Sequence, residues 1–151
     1  MDQDSFAARY DGMINSPTMR ALYADSGYFN VGYWTEGVRD IADACDRLVD
    51  EMAKAVPADS AVIVDTGCGV GAATCRFAEH FPDATILAVN ISHNQLLKAR
   101  RRGVRAPVVM DATRLAIATG TADAVIALES AMHFDTRAAF IAEAYRVLRP
   151  G

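Results

Sequence analysis

Glycines 67, 69 and 71 alternate through the stretch that begins at Asp65. Without a Cβ at these positions the chain can turn sharply and a ligand can come against the backbone. An apolar run, Ala61 to Val64, leads into the turn and a helical pattern from Ala72 leads out of it. Unpaired N–H groups and a positive dipole end then face whatever the turn holds, which suits an anionic ligand group. A purely structural glycine turn is the simpler alternative. A nicotinamide fingerprint would place its third glycine one residue later and an acidic residue about 20 residues downstream to meet the ribose diol. Position 72 is Ala instead, and Asn90 follows the second apolar run. A phosphate-binding P-loop needs Lys and Ser or Thr after its glycines, and this stretch has neither pair member there. His133 is the second chemical centre. It follows the fourth apolar run, at the strand end where open α/β sheets hold ligands. An imidazole there can take a proton near neutral pH, or it can simply bond to backbone in a loop.

These residues need a frame. Phe6, Tyr10 and Met13 predict a short first helix, and Pro17 opens a second segment, Thr18–Ala24. Residues 25–34 form a glycine-punctuated aromatic loop. Ile41, Cys45, Leu48, Met52 and Val56 recur on one face of an amphipathic helix that ends near Pro57. From residue 61 short apolar runs alternate with helical stretches. Strands are expected at 61–65, 85–89, 107–110 and 123–128, with helices at 72–80, from the Ser92 cap to Gly103, and 136–148. That alternation indicates βαβ units, an α/β fold with a mainly parallel sheet. Residues 1–58 are expected to form a helical cover and residues 59–151 the sheet-bearing core.

The chain has 151 residues, 52% hydrophobic and 23% charged, ordinary values for one folded domain. Ala61–Val64 and Ala124–Leu128 are the longest apolar stretches, far short of the roughly 20 residues that span a bilayer. The acidic start, Met1–Asp4, does not read as a signal peptide. Cys45, Cys68 and Cys75 lack metal-ligand spacing, and His80, His93 and His133 are too far apart for a ligand pair, so no metal is expected and a reducing cytoplasm is the simplest setting. Residues 1–60 carry 11 acids and 5 bases, residues 61–151 carry 8 acids and 10 bases. The basic cluster Lys98, Arg100, Arg101, Arg102 and Arg105 mostly occupies the last turn of a predicted helix, where cations complement the dipole. With no aromatics interleaved, a nucleic-acid partner is not expected.

Val64-Asp65-Thr66-Gly67-Cys68-Gly69-Val70-Gly71 resembles motif I of the class I S-adenosylmethionine-dependent methyltransferases. Further matches follow in that family's order: Val89-Asn90-Ile91-Ser92 with Gln95, Met110-Asp111-Ala112-Thr113-Arg114-Leu115, Ala127 to Phe134, and Glu143 to Gly151. The set is most similar to the branch acting on small molecules and natural products. Asn30-Val31-Gly32-Tyr33-Trp34 is similar to that branch's cofactor cover.

The resemblance implies a doubly wound, Rossmann-like sheet in strand order 3-2-1-4, S-adenosylmethionine as cofactor and a small-molecule acceptor. Gly67, Gly69 and Gly71 with their turn would meet the methionine end, and Asp65 would organise the loop. Asp111 would accept from the adenine amino group, the backbone of Ala112 would meet the ring, and Ile91 would also touch the cofactor. Asn90 stands where many members carry an acidic ribose ligand; an amide bonds a hydroxyl but forfeits charge assistance. Gln95 shares that duty or completes a capping box with Ser92. Tyr33 and Trp34 would wall the sulfonium by cation–π contact or pack beneath the N-terminal helices. Glu129 would lie near the cofactor's cationic end or hold substrate, and His133 would be the base. Cys68 is expected to pack inside the turn.

The family's sheet has seven strands, and this sequence supplies four. Strand 123–128 would then be an edge with unpaired backbone groups. The expectation is a chain cut before the fifth strand and completed by a partner protein or a second copy. The alternative is a methyltransferase-derived subunit of a hetero-complex that serves a scaffold role or another reaction.

Overall fold

The computed structural model describes residues 3–23 and 26–150, with side chains described from residue 7 onward. The predicted contributions of Phe6, Ala24 and Asp25 lie outside the described side chains or residues. Among the described residues six helices and four strands run α1 (Gln3–Ile14), α2 (Pro17–Tyr23), α3 (Ile41–Ala53), β1 (Val62–Thr66), α4 (Ala72–His80), β2 (Thr85–Asn90), α5 (His93–Arg102), β3 (Ala106–Val109), β4 (Ala124–Ile126) and α6 (Arg137–Val147). A short 3₁₀ turn, Ala131–His133, precedes α6.

The four strands pair in parallel in the order β3-β2-β1-β4. Successive side chains on a strand point to opposite faces, and both faces are covered. Ile63, Ile86 and Ile126 pack with Cys45 and Val49 of α3 and Phe77 of α4. Val64 and Val89 pack on the other face with Leu115 and Val147. Ile63, Val64, Phe77, Val89 and Val147 are wholly buried. Such a central strand reads as a continuous apolar run, which is why residues 61–64 were legible.

Local signals set the helix ends. Asp40, Ser92 and Thr136 each accept a backbone N–H three residues on, and Gly103 closes α5 in the left-handed conformation. Asp50 joins α3 to α4 through a two-pronged bond with Arg76 (2.8 and 2.9 Å) and a 2.6 Å contact with His80 Nε2.

Three local expectations shift. The buried stripe of α3 runs through Ala44, Cys45, Val49 and Ala53, with Leu48 at its margin, because the helix presents a face centred one residue away from the predicted row. Met13 of α1 is exposed while its neighbour Ile14 is buried. β4 is half as long as the 123–128 run. Its ladder matches Ile63, Val64 and Asp65 to Ala124, Val125 and Ile126. Side-chain bonds take over at both ends: the Asp123 carboxylate accepts from the amides of Ala61 and Val62, and Thr66 Oγ1 donates to Ile126 O.

Candidate functional site

The turn after β1 is built from backbone. The Gly67 and Cys68 amides both donate to Val89 O, at 2.8 and 3.1 Å, and so tie the turn to β2. Gly67 and Gly71 have φ of +73° and +83°, a region that L side chains enter only at a cost. A Cβ on Gly67 would lie 2.5 Å from Ser130 Cβ, and one on Gly71 would lie 2.6 Å from Val104 Cγ2 and 2.9 Å from Ala99 Cβ. Gly71 therefore serves close packing of α4 on α5, and it lies outside the lining of the cleft that Gly67 and Gly69 share.

Asp65, at the strand end, is buried and receives a 2.6 Å bond from Thr74 Oγ1. Loss of hydration pushes its carboxyl up to about 6, and the Thr74 bond offsets only part of that. Cys68 is buried against Ala88, Leu96 and Ala99, and desolvation raises its thiol well above the ordinary value. A thiol held protonated is a packing group, not a nucleophile.

Turn residues 67–70, Asn90, Ile91, Gln95, Asp111, Ala112, Glu129 and His133 all line one cleft of about 510 Å³ at the carboxyl ends of the strands. Asp111 Oδ1 accepts from the Thr113 amide and hydroxyl, both at 2.8 Å, which fixes the carboxylate beside Ala112. The Asn90 amide nitrogen donates to Gln95 Oε1 at 2.9 Å, and Asn90 Oδ1 accepts from the Ser92 amide at 3.3 Å. Ser92 Oγ caps α5 by accepting from the Gln95 amide at 3.2 Å. The Gln95 side chain does not reach back to complete a capping box. It donates to Asp11 Oδ1 at 2.8 Å instead.

Asp11, on α1, is a residue that sequence reasoning missed. Ser92 Oγ (2.8 Å) and Asn94 Nδ2 (3.1 Å) also donate to its carboxylate. Desolvation works to raise its pKa, but the bonds from Gln95, Ser92 and Asn94 and the charge of Lys98 leave it below the ordinary value. A carboxylate over the first turn of α5 also complements that helix's dipole. No local pattern in the sequence marks Asp11, because its partners lie more than eighty positions away.

The opposite wall comes from α1, the following loop and the segment after β4. Tyr10 Oη lies 2.7 Å from His133 Nε2, and the two rings meet edge to face with centroids 5.1 Å apart. The Val31 amide donates to Glu129 Oε2 at 3.0 Å, and Glu129 itself has φ +48°. Glu129 thus clips the loop to the end of β4.

Tyr33 and Trp34 do not join the cleft. They are 46% and 58% exposed, and the Tyr33 amide donates to Ala44 O on α3, so the chain has already turned away from the strand ends. The aromatic rings lining the cleft among the described residues are Tyr10, Tyr28, Phe29 and Phe134 beside His133, with Tyr28 Oη held on Asp46. Burial, reinforced by that acidic partner, drives the Tyr28 hydroxyl far above its usual pKa.

Residues 64–151 match the family described as a methyltransferase domain, from the last half of β1 onward. The chain belongs to that family. The chain is 30% identical over 135 residues to erythromycin 3''-O-methyltransferase of Saccharopolyspora erythraea, a match covering 84% of this chain and 44% of the relative. It is 32% identical over 143 residues to methyltransferase GfsG of Streptomyces halstedii, covering 88% and 50%. Among solved structures, the [4+2]-cyclase SpnF superposes with a TM-score of 0.85 at 26% identity, over 97% of this chain and 56% of that one. The chain spans about half the length of the curated relatives it matches. The four-stranded order and the flanking helices are those of the Rossmann-like methyltransferase sheet. Among the described residues no helix is long and apolar enough to cross a membrane.

Proposed function

We propose that this chain carries the cofactor half of an S-adenosylmethionine-dependent O-methyltransferase acting on a natural-product hydroxyl. The carrying observation is that one cleft gathers the glycine turn, Asp65, Asp111 and Asn90 on one side and the Tyr10–His133 pair on the other. The residues fit the cofactor chemically. The turn is open to a main-chain approach, Asp111 and the Ala112 backbone suit an amino-bearing ring, and Asn90 suits a sugar hydroxyl. The cofactor, when bound, supplies a methyl group already activated on a sulfonium.

The protein's own work is then to align, exclude water and manage one proton. With its ring proton on Nδ1, His133 accepts at Nε2 from Tyr10 Oη. A substrate hydroxyl approaching this pair loses its proton to Tyr10 oxygen as the tyrosyl proton passes to His133, or directly to Nε2 once Tyr10 swings aside. Glu129, clipping the loop through Val31, keeps the roof over the cleft. The O-methyl position of the erythromycin relative, and that of a further relative, 27-O-demethylrifamycin SV methyltransferase of Amycolatopsis mediterranei, favour a hydroxyl acceptor. On this reading the outer edge of β4 is where further strands, from a partner protein or a second copy, complete the sheet.

Calorimetry with S-adenosylhomocysteine tests the assignment. Binding is expected for the full chain, with NAD giving no heat and Asp111→Ala abolishing the signal. Binding of NAD, or S-adenosylhomocysteine binding that survives Asp111→Ala, sinks it. The likeness to the cyclase SpnF supports a second reading, in which the fold serves a different reaction or a scaffold role in a complex. That reading predicts no methyl transfer to a hydroxyl acceptor by the completed protein, with or without Tyr10→Phe.

A further inference from the structure

Asn90 has an amide where a carboxylate would be the stronger partner for ribose hydroxyls, and an amide can face a ligand with either its NH₂ or its oxygen. Which end it offers is settled by its neighbours. Asp11, ionised, is acceptor-only, so it requires the Gln95 NH₂ group, which donates to it at 2.8 Å. Gln95 must then turn Oε1 away from Asp11, and that oxygen accepts from Asn90 Nδ2 at 2.9 Å. The same Asn90 NH₂ group has a second, longer contact of 3.4 Å with Gly69 O. Both donor hydrogens of Asn90 are therefore directed into the protein. Oδ1, on which the Ser92 amide at 3.3 Å is the one contact among the described residues, keeps a lone pair for the cleft that Asn90 lines.

We propose that Asp11 is a positioning residue that works through Gln95 to make Asn90 present an oxygen, not an NH₂ group, to the hydroxyls of a bound ribose. The acceptor role lost with an acid at position 90 is thereby supplied from α1, and ribose recognition depends on that helix being docked. Ser92 and Asn94 hold the carboxylate in place, and neither touches the Asn90 NH₂ group. The inference rests on the cofactor reading above.

The test titrates the full chain with S-adenosylhomocysteine and with its 2′,3′-dideoxy analogue. The ratio of the two dissociation constants isolates what the hydroxyls contribute. A ratio of about tenfold is expected for the native chain, the size of one or two good hydrogen bonds. In Asp11→Ala and in Gln95→Leu the ratio should fall to about one, and Asn90→Asp should restore it in the Asp11→Ala background. If Asp11→Ala weakens both ligands by the same factor, Asp11 only docks a helix and the proposal is overturned. If the native chain binds neither ligand, the cofactor reading itself has failed and this one falls with it. Asp11→Asn, which preserves shape, covers the case in which the alanine variant does not fold. In the ligand-free protein it should shift the side-chain amide resonances of both Gln95 and Asn90, and an unmoved Asn90 signal would overturn the relay.

Discussion

The two walls of the cleft are made differently. The wall formed by β1, its glycine turn and the start of α4 is held by backbone bonds to Val89 and by close packing on Ala99, Val104 and Ser130. The wall formed by α1 and the loop through Val31 meets the strand ends through side-chain links, Asp11 to Ser92, Asn94 and Gln95, Tyr10 to His133, and Glu129 to the Val31 amide, while the root of the loop is packed on α3 through Tyr28, Gly32 and the Tyr33 amide. Backbone packed to native density tolerates almost no added volume. A single hydrogen bond at a partly exposed site contributes only about 1 kcal/mol. One wall is thus a fixed mould, and in the other α1 can lift at modest cost to admit a ligand.

Substitution at the turn should show the largest effect. Gly71→Ala combines left-handed strain with a β-carbon 3.2 Å from the Ala99 backbone and closer still to two side-chain carbons, so a loss of about 3–5 kcal/mol in urea denaturation is expected. A loss below about 1 kcal/mol would mean that the mould yields.

Asp65 sharpens the contrast through pH. Its folded pKa of about 6 is above the ordinary 3.8. The stability it contributes is therefore complete below the unfolded value and lost as pH rises through the folded one. Asp65→Asn stays neutral throughout, so its stability relative to the native chain should climb by about 2 kcal/mol between pH 4 and 7. Carboxylates with lowered pKa values, such as Asp11 and Asp50, act in the opposite sense but cancel in that difference. A flat difference would mean Asp65 is hydrated.

Ser92 stands where the two walls join, as both α5 cap and Asp11 partner. Ser92→Ala should cost about 1 kcal/mol, read by thermal unfolding. The smallest change expected is in Glu129→Gln, which keeps an acceptor for the Val31 amide but removes its charge. Global stability should move by no more than about 0.5 kcal/mol, while the Val31 amide exchanges a few-fold faster. An unfolding-scale loss from Glu129→Gln would erase the distinction between the walls.

Legibility in the sequence followed the range of the interactions. The strand into Asp65, the glycine turn and the Ser92 and Gly103 stops of α5 were readable because strand burial, left-handed turns and helix caps each act within a few residues. His133 was readable as a candidate because it follows a strand, and Asp111 because its motif resembles the family's. Gln95 was half readable: its cap spacing was visible, but the side chain's true partners, Asn90 and Asp11, were not. Tyr33 and Trp34 misled because an aromatic run carries no record of where its loop turns, and α3 takes the Tyr33 amide before the cleft is reached.

Sequence alone determined the alternating α/β architecture and the mould that begins at Asp65, since each depends on apolar periodicity or on what glycine permits, while the strand order came from the family resemblance. Tertiary structure decided which aromatics face the cleft, that Tyr10 meets His133, and that a carboxylate on α1 governs the amides at positions 90 and 95. Those contacts join residues from about eighty to more than one hundred and twenty positions apart. Such pairs exist only once the chain has folded back on itself, because their geometry comes from the packing of whole elements and not from any local preference.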